Sequence, residues 1–525
     1  MSQRLAPLVV LILVLLLGAC VSDQTDPSPT SQDPSASPAP SSSPTPVPTP
    51  TPVPEVEVPL AVVVNYADVR AAVTLAEVEG AAEDDLVIPC EVTAYLGRTL
   101  DPDRSCTRAG RALARVRSGR QPDAAKLMLL PSSLVTADVK VLPVDGADLF
   151  GGPEARGRPY PITGRAIGVD PYDASEVRTL MSLGDSCPDR GVAHAAITEG
   201  RGWDWVFDGG TAEYTAVYPN PVPEGFVGNG FNIVDAVPTG NRGAVAELVS
   251  GADVTIDDFE CPVVDDFTVN EGVVFSIDPA VLPRLRDTYG VDVATLAANH
   301  LFDRGTPGFL ETLAQFEAAG IATTGAGEDL DSALEPAFVE VRGLTFGFVA
   351  FNEIPGSLEA GPGQPGVLWL RDANVTDAVS RARDGGADLV FCVPQWWGGA
   401  EYHAQFLGDM RRQQQFFFDS GCDHIVGHGT HWSGPIEIAP DRDGRHRVTM
   451  VSHGNFLFGQ EWSQQTQEGV LLELAFVGTE LAQARMHPYI MLEQAQTNLT
   501  DPETDGQYVL TRIYEASGLC CGAAP

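Results

Sequence analysis

Two periods of apolar residues alternate along this chain and predict its elements. Short apolar runs at 58–64, 85–92, 126–130 and 139–144 read as strands, with helices over 69–79 and 108–116 between them. The segment 151–164 is rich in Gly, Pro and Arg and reads as a boundary. Beyond it, strands are predicted at 179–183, 252–256, 291–296, 321–324, 338–341, 344–351, 388–393, 424–426, 448–452, 470–476 and 486–491. Amphipathic helices at 279–289, 308–319, 375–383 and 406–420 separate several of them; the second repeats Phe309, Leu310, Leu313 and Phe316 at helical spacing. Strands alternating with helices predict a wound α/β domain. Residues 201–242 carry many Gly, Pro and aromatic residues and read as a long inserted loop near the site.

The N-terminus follows a different pattern. Arg4 supplies positive charge, Leu8 to Leu17 form an apolar core, and Leu17-Gly18-Ala19-Cys20 reads as a lipobox whose Cys20 would carry the lipid. The apolar stretch is short for a membrane span. Pro, Ser and Thr then dominate to Pro54, a composition that buries no core and gives an extended spacer. The expected organisation is a signal peptide over 1–19, a tether over 20–54, a small α/β accessory domain over 55–172, a second α/β domain over 173–492 and a C-terminal tail over 493–525. The body is expected to be extracytoplasmic and lipid-anchored to the cell membrane.

Charge narrows the partners. The 525 residues include 71 acidic and 32 basic side chains, a formal charge of −39. Such a surface argues against nucleic acid and against docking of the globular body on anionic lipid. An anionic substrate would need local Arg or metal cations to overcome the repulsion. Of nine Cys, setting aside Cys20 leaves an even number, which outside the cytoplasm suggests disulfides. Cys90 with Cys106, Cys187 with Cys261, and Cys392 with Cys422 are candidate pairs. The second would staple the rim of a site if the strands before those cysteines are neighbours. Cys520 and Cys521 resist assignment.

Chemistry-bearing residues gather at predicted strand ends: Asp185, Asp258 and Glu260, Asn299 with His300 and Asp303, Gln395, His428 with His431, and Asn455. Open α/β sheets build their sites there. Carboxylate, amide and imidazole together suit a hard or borderline divalent cation such as Mn, Zn or Fe. Singly, each has a structural explanation: Asp185 as a helix cap, Glu260 as an ion-pair partner, Asn299 and Asn455 as turn residues. Their coincidence along one sheet edge points to a site.

Residues 179–476 resemble the bacterial capsule-synthesis family typified by CapA and PgsA, the poly-γ-glutamate biosynthesis proteins. The matching motifs are Gly184-Asp185, Asp258-Phe259-Glu260, Ala297-Ala298-Asn299-His300 with Asp303 and Gly305, the stretch 319–327, Pro365-Gly366-Val367, a Gln among 413–415, Gly427-His428-Gly429-Thr430-His431 and Ser452-His453-Gly454-Asn455-Phe456. The resemblance implies a calcineurin-like, metallophosphatase-type α/β sandwich. It implies a role in making, exporting or anchoring an anionic polymer, with that polymer or its synthesis machinery as partner. It also implies metal at Asp185, Glu260, Asn299, His428 and His431, with Asp258, Gln395 and Asn455 as additional candidates. On a hydrolase reading, His300, beside Asp303, protonates a leaving group. Two positions depart from the family pattern. Gln395 stands where the family has His, and an amide is a poorer ligand than imidazole for zinc-like ions. Asp258 replaces Asn and adds an anionic oxygen. A metal-dependent hydrolase and a catalytically silent binding protein therefore both remain open beside the polymer-biosynthesis reading.

Overall fold

All 10 residues of the strand Val177–Ser186 are buried, and the second domain is built around it. Val254–Phe259, Val293–Thr295 and Ala322–Thr324 follow it in parallel on one side. Glu468–Val477 and Glu480–Leu492 pair antiparallel on the other. A second sheet sets Leu344–Asn352, Leu389–Gln395, His424–Val426 and His446–Met450 parallel, with Ala337–Val341 and Ile436–Pro440 as antiparallel edges. The computed structural model describes residues 53–519 apart from 82–84, 97, 100–110, 112, 114–126, 220–231 and 271. The signal peptide, Cys20, the tether up to Pro52, Cys106, Cys520, Cys521 and most of the helix expected over 108–116 lie outside the described residues.

The two sheets face each other. Leu180, Ile256, Val293 and Leu472 from the first meet Phe346, Phe348, Phe391 and Met450 from the second in one buried cluster. Helices cover both outer faces. Leu282, Leu285, Phe309 and Phe316 pack beneath the first sheet, and Val375, Val379, Met410 and Phe417 beneath the second. These are the crossovers that parallel strands require. Gly320 at φ 71° and Gly421 at φ 111° end two of them in the left-handed region, where glycine carries no Cβ penalty. The result is the α/β sandwich that the resemblance implies.

Ahead of it, Glu55–Asn65 is the spine of a seven-stranded sheet and pairs antiparallel with Leu127–Pro131, Val139–Leu142 and Thr163–Ile167. The helix expected over 69–79 is shorter, Leu75–Gly80. Thr74 accepts from Glu77 N while Glu77 reaches back to the Thr74 N–H, and this capping box fixes the start. Buried polar contacts tie this sheet to the second domain: Val141 N donates to Gln483 Oε1 at 3.1 Å, and Arg485 pairs with Asp148 at 2.6 Å.

Two expectations are corrected. Within the range read as a long inserted loop, Thr211–Pro219 and Asn232–Gly240 pair antiparallel and extend the large sheet at its edge. Most side chains of this pair are exposed and its register shifts twice, so it leaves little apolar alternation to read. The tail over 493–525 is also structured through Leu519. Gln496–Thr500 joins the large sheet, and the helix Gln507–Ala516 buries Val509, Leu510, Ile513 and Tyr514.

Disulfides join Cys187 to Cys261 and Cys392 to Cys422. The first links the segments that follow two adjacent parallel strands, Val177–Ser186, which carries Asp185, and Val254–Phe259, which leads into Glu260. It spans 74 residues of sequence, for which the chain-entropy argument gives about 4 kcal/mol of stabilisation. A Cys187→Ser, Cys261→Ser double variant is expected to unfold at clearly lower urea concentration than the parent. An unchanged midpoint would show that the bridge does not constrain the unfolded chain.

Candidate metal centre

The carboxyl ends of the parallel strands in both sheets meet at one edge. Asp185 ends the central strand, in register with Asp258 on one side and Asn455 on the other. Gln395 ends its strand in the second sheet and bridges to His428, just beyond the next strand. Glycine at 184 is a packing requirement. A Cβ there would lie 2.2 Å from the Gly454 carbonyl oxygen, so only glycine lets the Asn455 segment approach Asp185.

Asp185 is shared between two groups of potential ligands. Asp185, Asp258 and His428 form one, and Asp185, Glu260 and His431 the other; within each group one ligand atom per residue lies within 4.8 Å of the rest. His428 Nδ1 is 3.2 Å from Asp185 Oδ1, and His431 Nδ1 is 3.6 Å from Asp185 Oδ2. All five side chains are buried. Asp185 Oδ2, Asp258 Oδ2, Glu260 Oε1 and Asn299 Oδ1 have no hydrogen-bond partner. Buried carboxylate oxygens without partners are costly, and convergent ones are what a cation satisfies. The donor set therefore fits a divalent ion, and one carboxylate common to two sets fits a paired-ion arrangement.

The electrostatics point the same way. Burial, reinforced by Asp185 and Asp258, holds the Glu260 carboxyl well above its ordinary range. Burial and Asp185 push Asp258 up to about 6. For His428, burial pulls the ring down, but Asp258 and Asp185 outweigh it and raise the value. Carboxyl groups crowded out of water disfavour their own charge until a cation joins them.

The other sequence candidates divide. Asn455 Oδ1 sits 2.9 Å from His431 Nδ1 and orients that ring. Asn299 lies at the same edge with its amide oxygen unpartnered. Gln395 spends its amide oxygen on the Asn299 backbone N–H, at 3.1 Å. Its nitrogen lies near Glu260 but closes no hydrogen bond of normal geometry. Held that way, Gln395 braces the Asn299 backbone with one lone pair of its amide oxygen. His300 Nδ1 is 3.0 Å from Asp303 Oδ2, whose carboxylate also accepts from Phe275 N at 2.8 Å. This dyad is partly exposed, with side-chain accessibilities of 24% and 16%, so it faces solvent as the five deeper residues do not.

Several residues were not singled out from sequence. Asp257 is fully buried beside Asp258 and accepts from Ser186 Oγ at 2.8 Å; burial holds its carboxyl well above the usual range. The His453 ring stacks on His428 at 4.8 Å. Tyr402 stacks on His431 at 5.3 Å. Arg190, Tyr402 and His431 all have positive φ, at 47°, 58° and 60°. Non-glycine residues are rarely held there, and such strain gathers at functional sites. No local signal marks Arg190, and Tyr402 was readable only as the end of the motif that begins at Gln395. The lone extra His in Ser452-His453-Gly454 was the readable hint for His453.

Comparison with known proteins places this geometry in a family. A family model described as "Bacterial capsule synthesis protein PGA_cap" matches residues 179–460. The chain is 31% identical over 183 residues to the PGA biosynthesis protein CapA of Bacillus subtilis, covering 34% of this chain and 46% of that protein. It is 29% identical over 189 residues to the capsule biosynthesis protein CapA of Bacillus anthracis, covering 35% and 44%. A probable polyglutamine synthesis accessory protein of Mycobacterium tuberculosis is 32% identical over 213 residues, covering 38% and 55%. The match thus spans about half the length of these relatives. Among solved structures, a 5'-nucleotidase precursor from Thermus thermophilus is similar at 17% identity and a TM-score of 0.34, over 65% of this chain and 58% of that one. The calcineurin-like phosphoesterase YfkN of Bacillus subtilis is similar at 12% identity and a TM-score of 0.32, over 64% and 98%. The family match covers more than half of the chain and takes in every residue of the two ligand groups: the protein belongs to the bacterial capsule synthesis protein family PGA_cap.

Proposed function

We propose that this protein serves the synthesis, export or anchoring of an anionic capsule polymer such as poly-γ-glutamate, through a divalent-metal site at Asp185, Asp258, Glu260, His428 and His431. The observation that carries this reading is the sharing of Asp185 between two buried ligand groups, each of whose carboxylates keeps one oxygen without a hydrogen-bond partner. Family membership and relatives named for capsule, PGA and polyglutamine synthesis support it. A divalent ion there would acidify water and neutralise charge on a bound anionic group. Mixed oxygen and nitrogen donors favour Mn, Zn or Fe over Ca or Mg. The protein would work outside the cytoplasm, lipid-anchored at Cys20 and held off the membrane by its proline-rich tether.

Elemental analysis tests the metal. Near-stoichiometric divalent metal in the purified protein, lost in a His428→Ala, His431→Ala double variant, is the expected result. A well-folded parent without metal after incubation with Mn, Zn and Fe would end the proposal.

A second reading, hydrolysis of the polymer or of a phosphoester, is favoured by one observation. The His300–Asp303 pair is hydrogen-bonded and reaches solvent, the arrangement of a general acid held by its carboxylate. Cleavage of poly-γ-glutamate that falls by about 100-fold in His300→Ala, with metal content retained, would establish it.

A further inference from the structure

Basic side chains are outnumbered in this chain, 32 against 71 acidic ones, and most of the described arginines are neutralised by a carboxylate. Arg190 is an exception. Among the described residues no Asp or Glu lies within ion-pair distance of its guanidinium, and neither terminal nitrogen meets an acceptor. Its Nε donates to the Gly272 carbonyl at 2.8 Å, which fixes the plane of the group. Its backbone is held as firmly. The buried Asp189 carboxylate accepts from Arg190 N at 2.8 Å, Asn270 N at 3.0 Å and Ser276 N at 2.9 Å. That latch keeps Arg190 at φ 47°, a strained value for a residue with a side chain.

The guanidinium lies over aromatic rings, 4.5 Å from the centre of Phe275, 5.7 Å from Phe458 and 6.0 Å from Trp462. Burial among them pulls its pKa down, and the nearby Tyr402 and Asp189 only partly offset that burial. The same rings touch the candidate centre from the other side. His300 meets the edge of Phe275 at 4.7 Å, and His431 meets Phe458 at 5.2 Å. Arg190 and Tyr402 also line one cavity of about 730 Å³, and Tyr402 stacks on His431. Two carboxylates line that cavity as well, Glu199 and Glu493. Both are engaged by Arg201, at 2.8 and 2.5 Å, and His194 stands 3.6 Å from Glu199. Among the described residues that line the cavity, Arg190 is therefore the charged side chain without an ion-pair partner.

We propose that Arg190 is the specificity-determining anion grip of the substrate cavity, taking a carboxylate of an acidic polymer chain while a neighbouring part of that chain reaches the metal centre. This rests on the polymer reading given above. A guanidinium with both terminal nitrogens free is pre-shaped for bidentate binding of a carboxylate. The cavity is large enough for several residues of a chain. In a protein of formal charge −39, a fixed local cation is what lets a polyanion settle.

The test is equilibrium binding of a fluorescent γ-linked glutamate oligomer to the metal-loaded protein, with the uncharged glutamine oligomer and inorganic phosphate as controls. Parent protein should bind the glutamate oligomer and not the glutamine one. Arg190→Met should weaken binding by about 10–100-fold, the worth of a charge-assisted hydrogen-bond pair. Arg190→Lys, which keeps the charge and loses the fork, should fall between. Metal content and the melting curve should match the parent in both variants. Equal binding by parent and Arg190→Met would overturn the assignment, as would Arg190-dependent binding of phosphate alone, or no binding by a parent that holds its metal. Loss of metal from the parent itself would instead mark failure of the underlying metal-site reading and is scored separately by elemental analysis.

Discussion

Asp185→Asn will abolish divalent-metal binding at both ligand groups together, whereas Asp258→Asn and Glu260→Gln will each weaken only one. The difference follows from position. Asp185 is common to both groups, while Asp258 and Glu260 belong to one apiece. An amide keeps the shape but removes the anionic charge and one of two lone-pair oxygens. Losing even an outer partner of a metal ligand costs about 10–100-fold in affinity, and a shared anionic ligand costs more. The second consequence is thermodynamic. An ion that binds only the folded state stabilises it by about 2.7 kcal/mol at a hundred times its dissociation constant. Added Mn or Zn should therefore raise the melting temperature of the parent and leave that of Asp185→Asn unmoved. Calorimetric titration and melting curves read the two effects independently. A variant that still takes up metal at both groups would show that Asp185 does not join them.

The stability that metal confers should grow as pH rises from about 4 to 8. Asp258 is raised from 3.8 to about 6, and Asp257 and Glu260 lie well above their ordinary range. An acid whose folded value is raised binds more protons folded than unfolded between the two values, so stability falls as pH rises through that window. The displacement of Asp258 alone corresponds to about 3 kcal/mol, lost between about pH 4 and pH 6. His428 acts in the same direction: its folded value is raised, so its contribution is present at low pH and is lost as pH rises through that value. Metal reverses the trend, because deprotonated ligands are the ones that bind. Other carboxylates lose stability in acid, among them Glu473, held low against burial by His487 and Arg485. That loss is common to the loaded and stripped forms and cancels in their difference. The gap in melting temperature between metal-loaded and chelator-treated protein should widen across this range. A gap that narrows would place the buried carboxylates outside the metal site.

Much of the site was legible because it follows strand ends. Asp185, Glu260 and His428 each come within a few residues of the end of a strand-like run, and a parallel sheet brings such positions to one edge whatever the helices between them do. The Cys187–Cys261 bridge was legible for the same reason, once the two strands before it were taken as neighbours. What escaped depends on distant residues. Arg190 looks like any exposed arginine until Phe275, Phe458 and Trp462 arrive from far along the chain. Gln395 could be flagged as a substitution, but its turn toward the Asn299 backbone is a matter of packing. The strand Gln496–Thr500 is polar in sequence, and its place comes from backbone pairing with Glu480–Leu492.

The register of Asn455 with Asp185 has a consequence for how the protein is made. Asp185 is synthesised early, yet its second neighbour, the His431–Asn455 contact and the strand Glu468–Val477 beside it all come from late in the chain. Closing so long a separation is slow, and it cannot begin on the ribosome until those residues have emerged. The nascent N-terminal half holds carboxylates but no imidazole to complete either ligand group. Metal capture is thereby tied to completion of the whole sandwich, and a chain truncated before Asn455 lacks the contact that orients His431.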